Sequence, residues 1–171
     1  MNIAIKLLSI IGLLFSIILS PLYCMADVYS NLSAGFYVPS NKLSTETGMI
    51  LEADVGIRQL AGFAAEVGLS LALSDADKID SIICFDATIK HELKVKGGGL
   101  IIGAGIGYYS FTYGDNSTLA LTEKGIGPHL LLEVRDDNVN IAIKKSFLNW
   151  KYDDSSTIDY GGFSLLVGYE F

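Results

Sequence analysis

From Val28 onward the chain alternates between apolar and small or polar residues. In 48–58, Met49, Leu51, Ala53, Val55 and Ile57 take one parity, and Ile50, Glu52, Asp54, Gly56 and Arg58 take the other. In 62–74, Phe63, Ala65, Val67, Leu69, Leu71 and Leu73 alternate with Ala64, Glu66, Gly68, Ser70 and Ala72. In 125–135, Ile126, Leu130, Leu132 and Val134 alternate with Gly127, His129, Leu131, Glu133 and Arg135. A period of two is that of a β-strand with two unlike faces. The same reading predicts strands over 28–38, 48–58, 62–74, 81–92, 99–112, 125–135, 139–151 and 161–171. Each has at least the roughly 9–11 residues that a tilted strand needs to cross a bilayer. The connections alternate as well: 39–47, 75–80, 113–124 and 152–160 are longer, and 59–61, 93–98 and 136–138 are shorter. Acids set at alternate positions of such hydrophobic runs fit a closed sheet with an apolar outside and a tight polar inside. The expected fold is all-β: an eight-stranded antiparallel transmembrane β-barrel over residues 27–171.

A soluble eight-stranded barrel shares the period and the strand count. The aromatics weigh against it, because they collect toward predicted strand ends. Phe36, Tyr37, Tyr108 to Tyr113, Phe147, Trp150, Tyr152, Tyr160 and Phe163 fall toward one boundary, and Phe63, Tyr169 and Phe171 toward the other. Two aromatic belts suit two membrane–water interfaces. Pro128 interrupts the pattern, since proline lacks a ladder donor; it is expected near the outer end of its strand. The last segment places Phe163, Leu165, Val167, Tyr169 and Phe171 on one face and Ser164, Leu166, Gly168 and Glu170 on the other.

The first residues read as a secretory signal peptide over 1–26. Lys6 supplies the positive charge, Leu7 to Leu19 the apolar run, and Cys24-Met25-Ala26 a cleavage context before Asp27. The run is short for a retained transmembrane helix, and Leu22-Tyr23 does not suit lipid attachment at Cys24. Without 1–26 the formal charge moves from −7 to about −8. That balance argues against nucleic-acid binding. Cys84 is then the one cysteine left, so an intrachain disulfide framework is excluded.

On its strand count, its loop alternation and the closing Tyr169-Glu170-Phe171, the chain over Asp27 to Phe171 resembles the small eight-stranded outer-membrane proteins: OmpX, the membrane domain of OmpA, and the wider OmpA-like or OmpW-like superfamily. The resemblance implies a bacterial, Gram-negative outer-membrane location. It also implies that Phe163, Leu165, Val167, Tyr169 and Phe171 act as a C-terminal signal for the barrel-assembly machinery. Roles in envelope integrity, adhesion or host contact follow as expectations. So do contacts with outer-membrane lipid and lipopolysaccharide, and with a host or surface ligand through the outer loops.

The candidate chemistry lies on the inward parity: Glu52, Asp54, Arg58, Glu66, Asp86, Lys90, Glu133, Arg135, Lys144 and Glu170. Eight strands enclose an interior just wide enough for side chains to fill. Charges there must pair or stay hydrated, because an unpaired one costs several kcal/mol. A structural ion-pair network is therefore expected, rather than a catalytic carboxylate group or an ion path. A membrane-barrel hydrolase would place Ser near His on one strand face. His91 and His129 have no Ser two residues on, and only a triad drawn from separate strands, such as His129, Ser70 and Glu133, stays open. Gly103-Ala104-Gly105-Ile106-Gly107 misses the dinucleotide fingerprint and reads as packing relief on an inward face. Asp75, Asp77, Asp80, Asp115, Asp153, Asp154 and Asp159 form an acidic outer rim whose spacing matches no calcium loop. Cys84 reads as a buried free thiol. No catalytic residue, cofactor or metal site is expected. The expected function is a non-enzymatic structural or surface-interaction barrel, and the alternative is a narrow OmpW-like channel with a lateral opening in its wall.

Overall fold

The computed structural model describes residues 27–40, 47–58, 62–76, 79–95, 98–115, 118–153, 156–159 and 161–171. The signal-peptide segment and the 59–61 turn lie outside the described residues, as do most of the 39–47 connection, Asp77, Asp154 and Tyr160. The elements are β1 (Asp27–Pro39), β2 (Gly48–Arg58), β3 (Phe63–Ala76), β4 (Ile79–Val95), β5 (Gly98–Asp115), β6 (Thr118–Asp136), β7 (Val139–Ser146), β8 (Asn149–Asp153), β9 (Ser156–Asp159) and β10 (Gly162–Glu170). Antiparallel neighbours run β1-β2-β3-β4-β5-β6-β7-β10, and β10 returns to β1 to close the barrel.

The register fixes the shape. Stepping perpendicular to the strands from Asp27 passes Arg58, Ala64, Lys90, Gly103, Leu131, Lys144 and Ser164, and re-enters β1 at Tyr37. The offset from Asp27 to Tyr37 is a shear of ten residues over eight strands. At about 3.3 Å per residue and about 4.8 Å between strands, this sets a tilt of roughly 40° and a backbone radius of roughly 8 Å. Such a bore is filled by side chains.

The outside wall is apolar. On β1 the outward series runs from Val28 through Leu32 and Phe36 to Val38, each at least 45% exposed. Ten residues at that tilt rise about 25 Å, the height of an outer-membrane apolar band. Phe63, Tyr169 and Phe171 border one edge of the wall, and Phe36, Tyr108, Phe147 and Phe163 the other; all are exposed. Lys145 stands at that second edge with its ammonium 4.3 Å from the Phe163 ring centroid and hydrogen-bonded to Ser40.

Four expectations change. Tyr37, Tyr109 and Phe111 sit at the height of the outer belt but point into the barrel, where they are 6%, 6% and 3% exposed. They cap the interior. Longer strands replace much of the expected loops: β3 pairs β4 out to Ala76–Ile79, and β5 pairs β6 out to Asp115–Thr118. The expected strand over 139–151 ends at Ser146, and 149–159 forms a separate two-stranded sheet, β8–β9. Pro128 is also not near a strand end. It lies midway along β6, where β7 stops pairing, and its carbonyl accepts a last bond from the Phe147 N–H.

Candidate functional site: an ion-paired, capped lumen

Alternation delivers the charged residues inward, and the shear decides which of them meet. Three tiers result. Nearest the strand ends that carry Arg58 and Glu170, Arg58 and Arg135 share the Glu170 carboxylate, with Arg135 Nη2 at 3.3 Å from it. Arg135 Nη2 also donates to Glu133 at 2.6 Å, and Arg135 Nη1 lies 3.9 Å from Glu92. In the next tier Lys90 Nζ bridges Glu66 at 2.8 Å and Glu133 at 3.1 Å. The Tyr29 hydroxyl donates to Glu66 at 3.0 Å. The third tier centres on Lys144 Nζ, 2.9 Å from Glu52 and 2.6 Å from Asp86. Glu52, Glu66, Asp86, Lys90, Glu133 and Lys144 are almost fully buried, so each unit of charge among them needs its partner.

Neutral groups complete the lining. Asn31 Nδ2 donates to Ser33 at 2.9 Å and to Asp54 Oδ2 at 3.1 Å, and Asn31 Oδ1 accepts from Asn140 Nδ2 at 2.8 Å. Thr88 Oγ1 lies 2.8 Å from His129 Nε2 and donates to Asp86 at 3.3 Å. The Cys84 thiol lies 3.8 Å from Asp86. Above this tier a lid of Tyr37, Ile50, Ala72, Ile82, Tyr109, Phe111 and Leu148 packs as one cluster. The space beneath the lid, bordered by Glu52, Ser70, Cys84, Lys144 and Ser146, amounts to about 20 Å³, room for one water at most. At the opposite mouth, a hollow of about 240 Å³ opens among Asp27, Tyr29, Arg58, Lys94 and Arg135. Two larger grooves, about 880 and 570 Å³, are bordered largely by outward apolar residues such as Leu32, Ala53, Val55, Ala87 and Ile106.

Gly105 illustrates how tightly the interior is filled. A Cβ there would collide with the Ala87 carbonyl oxygen and the His129 ring, and one at Gly107 would crowd Tyr109 and Cys84. Bulk on that face of β5 is taken by neighbours.

The sequence matches no protein-family model and no curated protein. Solved structures do match. Neisserial surface protein A superposes with a TM-score of 0.71 at 14% identity, over 85% of this chain and 97% of that one. The N-terminal β-barrel domain of Pseudomonas aeruginosa OprF gives 0.53 at 11% identity, over 84% and 97%. The fold is that of a small eight-stranded outer-membrane barrel.

Within this outer-membrane barrel fold, all ten charged residues singled out by parity face the lumen, and nine of them make ion pairs. Asp54 is the exception. One of its oxygens accepts from Asn31, and Oδ1 is buried with no partner. The triad His129, Ser70 and Glu133 is not assembled: His129 Nε2 is engaged by Thr88, and Glu133 by Lys90 and Arg135. Between β2 and β5 the wall has no lateral opening, because those registers run without a break from the Arg58 end to Leu73, whereas β6 continues past its last β7 pair, His129–Ser146. No group of three or more His, Cys, Asp or Glu side chains among the described residues is arranged to hold a metal ion. Of the C-terminal set, Phe163, Leu165, Val167, Tyr169 and Phe171 all face outward. The side chains of the acidic rim residues lie outside the described residues.

Sequence reasoning missed Tyr29, Asn31, Thr88, Asn140 and Glu92 as members of the network, and missed the aromatic lid. Parity carried the signal for each. Tyr29, Asn31, Ser33 and Tyr37 are alternate residues of β1, and Tyr109 and Phe111 continue the inward series of Gly103, Gly105 and Gly107.

Proposed function

We propose that this protein is a non-enzymatic barrel of the bacterial outer membrane, sealed through its centre, whose role is structural or surface-directed. The lumen carries this reading. All of its charges but Asp54 are paired with one another, and its outer end is closed by Tyr37, Tyr109 and Phe111. A barrel filled in this way has no room at its centre for an organic substrate or solute, so contact with the surroundings falls to what projects beyond the wall. The β5–β6 hairpin runs past Tyr108, at the outer aromatic edge, to Asp115 and Thr118, and β8–β9 forms a second projecting piece. In this reading the 1–26 segment directs export and the Phe163–Phe171 face serves barrel assembly. The likeness to Neisserial surface protein A supports a part at the cell surface, in envelope integrity or adhesion.

An epitope inserted between Asn116 and Ser117 tests the orientation and the exposure together. Antibody labelling of intact cells is expected. Labelling only after the envelope is permeabilised would overturn the surface-directed role.

A further inference from the structure

The lumenal charges do not balance. Lys144 faces Glu52 and Asp86 directly, and Asp54 lies beside them without a cation of its own. Asp54 is 3% exposed, and its Oδ1 finds no donor. That oxygen is aimed at one spot. A Cβ on Gly68 would collide with Asp54 Oδ1 and stand 3.1 Å from Asp86 Oδ1, so the two carboxylates converge from β2 and β4 across a residue of β3 that has no side chain. Asp54 Oδ2 is spent on Asn31 and Asp86 Oδ2 on Lys144, and Asp86 Oδ1 accepts only the 3.3 Å bond from Thr88.

The groups facing Asp54 do not supply the missing charge. Its own strand offers Glu52, β3 offers Glu66, and β4 offers Asp86 and Thr88. From β1 come Asn31 and Ser33, and β10 presents Gly168. Lys144 on β7 is engaged by Glu52 and Asp86, and Lys90 by Glu66 and Glu133. An anion desolvated beside other anions draws in a counter-charge. Two converging carboxylates fall short of the roughly six to eight oxygens of a calcium cage.

We infer that Asp54 and Asp86 form a lumenal binding site, over Gly68, for one small monovalent cation of the Na⁺ or K⁺ class. Hard cations contact oxygen at up to about 2.6 Å, so one ion over Gly68 satisfies Asp54 Oδ1 and reaches Asp86 Oδ1, which also accepts from Thr88 at 3.3 Å. The site lies beneath the aromatic lid. The inference rests on the packing of the lumen and is independent of the surface role.

The test uses the barrel refolded in zwitterionic detergent, with the unfolding midpoint followed by its heat-dependent shift in gel mobility. Chloride salts of Na⁺, K⁺ and choline are compared at equal ionic strength. Ion-specific binding is expected to raise Tm in Na⁺ or K⁺ above that in choline by roughly 3–5 °C between about 10 mM and 500 mM. Asp54→Asn is expected to abolish that difference. Equal midpoints in all three salts would overturn the inference and leave a proton as the counter-charge. Retention of the difference in Asp54→Asn would also overturn it, by placing the ion elsewhere. If Asp54→Asn does not refold, ²³Na line broadening by the wild type, reversed by K⁺, decides: broadening supports the site, and its absence overturns it.

Discussion

Replacing Lys144 by Met keeps most of the side-chain volume and removes one charge from the centre of the lumen. The ammonium holds Glu52 at 2.9 Å and Asp86 at 2.6 Å, with the three side chains 6%, 7% and 1% exposed. Burial on that scale leaves little solvent to screen the two carboxylates once their partner is gone. Breaking a buried pair by deleting one member costs about 3–5 kcal/mol. With a urea dependence of about 2 kcal/mol per molar, the unfolding midpoint should fall by roughly 1.5–2.5 M. The assay is urea unfolding of the detergent-refolded barrel, followed by tryptophan fluorescence. Adding Glu52→Gln and Asp86→Asn to Lys144→Met removes the stranded charges, and should recover more than half of the loss. A loss below about 1 kcal/mol in Lys144→Met, the range of solvated pairs, would refute the reasoning. It would mean that water enters the lumen and hydrates these groups.

Other parts of the fold give separate outcomes. Gly105→Ala places a methyl against the Ala87 carbonyl oxygen and the His129 ring, and should cost about 1–3 kcal/mol in the same urea assay. Leu132→Lys puts a cation on the outward wall near mid-height and should cost about 2–4 kcal/mol, whereas Leu73→Lys, at the outer edge, should cost about 0–1 kcal/mol. Cys84, 3% exposed beneath the lid, should resist a water-soluble thiol reagent in the folded barrel and react at once in urea.

The period of two made the wall and the lumen legible, because each residue of a strand has only two directions in which to point. Glu52, Asp86 and Lys144 could therefore be assigned inward one at a time. Their meeting could not be read. Lys144 and Glu52 are 92 positions apart, and only the shear of the closed sheet brings them to one height. The aromatics failed differently. Tyr109 and Phe111 were read by position along the strand, as belt residues, although they share the parity of Gly105 and Gly107. Strand ends were obscured for another reason: the polar run over 113–124 suits a loop and an exposed hairpin equally, and the ladder between β5 and β6 settles which it is. The turn at Asp137-Asn138 shows the reverse, with Asp137 at φ 50°, a left-handed position that Asp tolerates in a short expected connection.

The central claim is that the barrel is closed through its middle by paired charges and an aromatic lid. Single-channel recording of the mature protein in planar bilayers tests it most directly. The account predicts a silent wild type, with a leak appearing when Tyr109→Ala and Phe111→Ala remove the lid and Glu133→Ala frees Lys90 and Arg135. Steady, resolvable conductance steps in the wild type would contradict it and make the protein a conduit.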